Sequence, residues 1–233
     1  MNPVGYLIKR TDGLYGERGM FYDYILSSNG IWIEAEGPLM AARVPVALAE
    51  VRGLAPLEPK VVMRYGHIPQ RFFDLALNTM LTTPDKERYA AVTFSGGYHI
   101  FVPPQEGSMG RVQYETGDHV LLDMHTHPKM PARFSSKDNE DETGLKLYAV
   151  IGTLGEYSQV KPEMTYDEQM ACLQANCPAV SLRVGVYGYF HPIAWKDVFD
   201  GDLGPEMIDV AECDSTLQEF EGEIKERENE LHG

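Results

Sequence analysis

The chain has 233 residues, 43% of them hydrophobic and 24% charged, with a formal net charge of −15. That length suits one substantial core, or a core domain with a smaller appendage, in an ordinary soluble globular chain. The acidic excess repels phosphate backbones and sets nucleic acid aside as the primary ligand.

The three cysteines, Cys172, Cys177 and Cys213, form no C-x-x-C pair. They predict reduced, buried thiols in a cytoplasmic protein rather than a disulfide framework. The opening Met-Asn-Pro-Val-Gly-Tyr lacks the basic and apolar regions of a signal peptide, and no apolar run approaches membrane-spanning length.

In chain order, residues 22–36 read as a β-hairpin: Tyr22, Tyr24 and Leu26 alternate, Asn29-Gly30 supplies the turn, and Ile31 and Ile33 alternate after it. A second β-compatible stretch covers 39–48, and 53–59, with Pro56 and Pro59, reads as a linker. Residues 1–66 are therefore expected to be a small β-rich N-terminal unit that packs or docks and carries no chemistry.

The pattern changes at Ile68-Pro69. Phe72, Phe73, Ala76, Leu77 and Met80 recur at helical spacing, Pro69 suits the first turn, and Thr82-Thr83-Pro84 stops the helix. Residues 89–94 and 98–102 read as strands joined by Gly96-Gly97, followed by a short strand at 112–114 and a stronger one at 119–127. Residues 135–147 read as helical, 147–154 as a strand, and 180–190 as one long β stretch closed by His191-Pro192. This order predicts an α+β domain over 67–200 with a mainly antiparallel or mixed sheet, since regular βαβ alternation is missing. The acidic tail, 201–233, places Leu217, Phe220, Ile224 and Leu231 on one helical face and reads as a surface helix.

The chemistry concentrates in residues 123–138. His125 and His127 are two apart, so on a strand both imidazoles project from one face, and neutral imidazoles suit zinc. Pro128 ends the strand. Ser135 and Asp138 then form an S-x-x-D helix start, with Ser135 at the cap and Asp138 one turn on. Taken alone, that pair needs no metal, because a serine cap and an acid near the helix dipole explain it. Joined to the histidines, Asp138 makes two nitrogens and one oxygen around an open position, the ligand count of a catalytic zinc site.

The arrangement H-x-H-x(7)-S-x(2)-D resembles the JAMM signature of the Mov34/MPN/PAD-1 (JAB-domain) metallopeptidases, and His125, His127, Ser135 and Asp138 stand at every fixed position. The wider text resembles one bacterial branch, the protein A family of the PRTRC system. That likeness rests on Gly66-His-Ile-Pro69, on Phe134-Ser-Ser-Lys-Asp138 with Asp141-Glu-Thr-Gly144, and on Tyr148-Ala-Val-Ile-Gly152. The JAMM resemblance covers residues 67–200 and implies a JAB/MPN-type mixed sheet packed with helices. It further implies Zn2+ held by His125, His127 and Asp138, a catalytic Ser135, and an upstream glutamate at the start of the strand after the first helix. Glu87 occupies that place, though Tyr89-Ala90 replaces the small pair that usually follows; Glu106 and Glu115 are its rivals.

The implied activity is hydrolysis of peptide or isopeptide amides. The implied substrate is a ubiquitin-like tail or conjugate, and an activating-enzyme-like protein is the implied partner. A non-catalytic MPN-type scaffold is the alternative, although that version usually lacks the ligands present here. A zinc deaminase needs a Pro-Cys-x-x-Cys pair, which Cys172 and Cys177 do not supply. His67, His99, His119, His191 and His232 have no partner at ligand spacing and read as surface or structural histidines.

Overall fold

The computed structural model describes residues 2–83, 85–108, 112–115, 117–152, 179–204 and 207–211. The three cysteines, His232 and the expected tail helix lie outside these residues.

The first sheet contains β1 (Val4–Arg10), β2 (Gly13–Glu17), β3 (Tyr22–Ser27), β4 (Gly30–Glu36), β5 (Met40–Leu48) and β6 (Lys60–Met63). Their spatial order is β2-β1-β3-β4-β5-β6, antiparallel throughout except for the parallel pair β1 and β3. Ser27 pairs with Gly30, so the β3–β4 turn is Ser28-Asn29, one residue earlier than the Asn29-Gly30 expected. The Asn29 side chain explains the shift. Its oxygen accepts from the Ser27 hydroxyl at 2.7 Å and the Leu57 N–H at 3.0 Å, and its amide donates to the Leu57 carbonyl at 2.7 Å. The turn is therefore tied to the Pro-rich linker.

The remainder runs α1 (Gln70–Met80), β7 (Tyr89–Phe94), β8 (Tyr98–Phe101), β9 (Gln105–Gly107), β10 (Val112–Tyr114), β11 (Val120–His127) and α2 (Ser136–Asp141). It continues with β12 (Leu145–Gly152), β13 (Ala179–Val186), β14 (Tyr189–Pro192), a 3-10 turn (Trp195–Asp197) and β15 (Ile208–Asp209). The second sheet has the order β14-β13-β12-β11-β7-β8, with β15 beside β13, while β9 and β10 pair separately. It is mixed: β11 runs parallel to β12 and β13 to β15, and the other pairs are antiparallel.

Two expectations change here. The helix expected over 135–147 is α2 alone, because the chain pairs with β13 from Leu145 onward and with β11 as well from Leu147. Tertiary pairing overrides the local helical pattern there. The long stretch 180–190 is a hairpin turning at Tyr187-Gly188, so His191 and Pro192 belong to β14 rather than ending the strand.

One buried cluster joins both sheets. Ile33, Ala35, Met40, Ala42 and Val44 of the first sheet pack with Phe73, Ala76 and Met80 of α1 and with Leu122, Met124, Leu147, Ala149, Ile151, Leu182 and Val184 of the second. The first sheet is thus one layer of a common core. The alternate residues of β11 (Asp123, His125, His127) turn to the second sheet's other face, beneath α2. No helix among the described residues is long and apolar enough to cross a membrane.

Candidate metal centre

The period of two in β11 brings His125 and His127 together, with their Nε2 atoms 3.2 Å apart. The Nδ1 of His127 lies 3.3 Å from the Pro131 carbonyl. That contact places the proton on Nδ1 and leaves Nε2 free as a donor atom. The approach of Pro131 depends on Gly152, which pairs with His127 across β12. A Cβ at Gly152 would stand 2.1 Å from the Ala132 nitrogen, so only glycine lets this loop cross the strand end.

Ser135 and Asp138 form a reciprocal capping box. The Asp138 N–H donates to the Ser135 hydroxyl oxygen at 3.2 Å, and the Ser135 N–H donates to Asp138 Oδ2 at 2.6 Å. The same carboxylate turns Oδ1 to within 3.5 Å of His125 Nε2, while Oδ2 lies 4.0 Å from His127 Nε2. The capping and metal-facing readings of Asp138 therefore hold together.

These three donor atoms lie within 4.8 Å of one another. Ligands about 2.0–2.1 Å from a tetrahedral ion stand about 3.3–3.4 Å apart; the His125–His127 and His125–Asp138 separations of 3.2 and 3.5 Å are close to this, and the His127–Asp138 separation, 4.0 Å, is wider. Burial holds the His125 imidazole down at about 4, and hence neutral, despite the Asp138 charge. Burial opposes the charge of Asp138, but His125 and the Ser135 hydrogen bonds outweigh it and keep this carboxyl below its usual range. A neutral His125 imidazole beside an ionised Asp138 carboxylate has the protonation states a divalent cation requires.

Glu87 reaches the site by tertiary contacts. Its N–H donates to the Ser108 carbonyl at 2.7 Å, and the next residue, Arg88, is hydrogen-bonded to Thr126, which lies between the two histidines. Burial first, then the Asp138 charge, pushes the Glu87 carboxyl up to about 7. Glu106 and Glu115 are exposed, and neither lines the cavity containing the histidines. His67, His99, His119 and His191 join no metal-capable group among the described residues.

Residues 70–168 match the family model described as prokaryotic homologs of the JAB domain. Over these residues, less than half of the chain, the sequence is similar to JAB domains. No curated protein matches the chain. The matched stretch contains Glu87, both histidines, Ser135 and Asp138, while the first sheet and β13 fall outside it.

The cavity that holds these residues measures ≈ 470 Å³ and is lined by Glu87, His125, His127, Ser135 and Asp138, with Tyr114, Phe134 and Glu142 among the other walls. Asp123, on the same face of β11, is engaged elsewhere: it accepts from the Tyr89 hydroxyl and, at 3.0 Å, from Lys146. Glu142 and its partner Arg183 escape sequence reasoning. The one signal is a charge, Arg183, inside the apolar Val-Ser-Leu-Arg-Val-Gly-Val run of β13.

Proposed function

We propose that this protein is a zinc-dependent hydrolase of peptide or isopeptide amide bonds. The observation that carries the reading is the convergence of His125, His127 and the Asp138 carboxylate in one cavity with a buried Glu87. Among the described residues, two nitrogens and one oxygen make up the donor set and no fourth protein ligand joins them, the count of a catalytic rather than a closed structural site. Zinc supplies, when bound, Lewis acidity that acidifies water and polarises a carbonyl.

The chain's own groups perform the remaining work. Glu87 takes the proton of the attacking water and returns it to the leaving amine, a task suited to a carboxyl tuned close to neutrality. The Ser135 oxygen already accepts from Asp138 N–H, leaving its hydroxyl hydrogen to donate to the oxyanion that develops on the amide. The resemblance to JAMM enzymes and to the PRTRC branch supports a protein substrate with a ubiquitin-like tail, and an activating-enzyme-like partner.

Zinc content and cleavage of ubiquitin-like fusion proteins test this reading. Wild-type protein should hold stoichiometric zinc and cleave an amide at the fusion junction, while His125→Ala should lose both. A folded wild type that takes up no zinc and cleaves nothing overturns the proposal in favour of a non-catalytic scaffold.

A further inference from the structure

The helix that carries Asp138 is poorly equipped to hold itself in place. α2 spans six residues and buries none of them. A helix this short is marginal alone, and it has no apolar face with which to dock. Its capping box is internal, and among the described residues Lys137 pairs with Glu140 and Asp141 of the same helix. Yet the Asp138 carboxylate must meet two histidines fixed on a rigid strand.

Arg183 supplies the anchorage. It lies on β13, two strands away from β11, with its side chain only 9% exposed. Its guanidinium grips the α2 segment at three points. Nη1 donates to Asn139 Oδ1 at 2.5 Å, while Nε and Nη2 donate to Glu142 Oε2 at 3.1 and 2.6 Å. Its Cζ also sits 3.7 Å from the ring centroid of Phe134, the residue before the cap, and 3.7 Å from that of Phe190 on β14. Apart from the contacts between Asp138 and the histidines, every side-chain hydrogen bond shown from α2 or its C-terminal cap to the second sheet, among the described residues, ends on Arg183.

We infer that Arg183 is a positioning residue for the metal: it holds α2 so that Asp138 meets His125 and His127. The inference rests on the proposed zinc site. Arginine suits the task because a planar fork can bond two partners while its faces stack on two rings, which an ammonium group cannot do. Residues that orient a metal ligand typically contribute about 10–100-fold in metal affinity.

The test compares wild type with Arg183→Met, Arg183→Lys and Glu142→Gln. Zinc affinity is read by competition with a chromogenic chelator, the visible spectrum is read after cobalt substitution, and the melting temperature is read without metal. Arg183→Met should fold, bind zinc about 10–100-fold more weakly and show an altered cobalt spectrum. Arg183→Lys should not restore the affinity, and Glu142→Gln should shift it in the same direction. A folded Arg183→Met with wild-type zinc affinity and cobalt spectrum overturns this inference alone, whereas a wild type that binds no metal overturns it together with the proposed function. If Arg183→Met does not fold, Glu142→Gln and Asn139→Ala decide, and wild-type affinity and spectrum in both overturn the inference.

Discussion

Arg88 and Thr126 exchange two hydrogen bonds, each of 2.9 Å: the Thr126 N–H donates to the Arg88 carbonyl, and the Arg88 N–H donates to the Thr126 hydroxyl. The residue between the two histidines thereby fixes the residue after Glu87. Candidate ligands and candidate base share one rigid mount.

Thr126→Val preserves shape but leaves the Arg88 N–H without that partner. The expected cost is about 1–3 kcal/mol, the usual penalty for such a group. The melting temperature should fall by about 2–4 °C for each kcal/mol in a chain of this size. Zinc affinity should stay at the wild-type level while kcat falls, because the mount of Glu87 is what loosens. Differential scanning calorimetry and steady-state kinetics check the two parts.

Glu87 gives a pH signature. Its folded-state pKa, about 7, lies above the ordinary 4.5, so the fold favours the protonated carboxyl. Its contribution to stability is therefore fully present below about pH 4.5 and is lost as pH rises through about 7. Glu87→Gln removes that loss. Metal-free Glu87→Gln should gain stability over metal-free wild type between pH 5 and pH 8, as melting curves will show. The same variant should retain zinc and lose about 10²–10⁴-fold in turnover, the usual contribution of a general base.

Ser135 both caps α2 and faces the cavity, and two substitutions separate these roles. Ser135→Ala should lose about 0.5–2 kcal/mol of stability, while Ser135→Gly loses only a few tenths, because glycine is tolerated at the cap. If the hydroxyl stabilises the oxyanion, both variants should lose turnover to the same extent, by about 10²–10³-fold. Parallel chemical denaturation and kinetics distinguish the two effects.

The metal-facing motif was legible in sequence because it is local. The two-residue spacing of His125 and His127 needs only a strand, and Ser135 to Asp138 needs only a helix start. Glu87 could be placed by resemblance alone, since its ties to Ser108 and Thr126 join distant segments. Arg183 carried still less signal, because its partners, Asn139 in α2 and Glu142 at its C-terminal cap, lie more than forty residues earlier. The length of α2 was misjudged for a similar reason: residues 145–147 obey the ladder between β11 and β13 rather than their own helical pattern. In the first sheet, β2 was hidden because most of its residues are exposed and show no alternation.

The shared core makes its own prediction. Met40, 1% exposed on β5, packs in the cluster that includes Met124 and Leu122 of the strand carrying the histidines. Met40→Ala should cost about 2–5 kcal/mol, as deletions of large buried side chains do. Because the two sheets share this core, loss of secondary structure and release of zinc should occur in a single transition. Circular dichroism and a zinc-sensitive dye, followed during the same thermal ramp, check this.

The capping box also limits which ion the site can accept. Oδ2 of Asp138 accepts the Ser135 N–H, which favours Oδ1, 3.5 Å from His125 Nε2, as the donor and would make the carboxylate monodentate toward a bound ion. Calcium seeks six to eight oxygens and often takes carboxylates two atoms at a time, and magnesium insists on an octahedron rich in oxygen. Two imidazole nitrogens and a single oxygen satisfy neither. In the proposed site, the hydrogen bond that starts a short helix would thereby act as a sieve for coordination number, disfavouring the abundant hard cations.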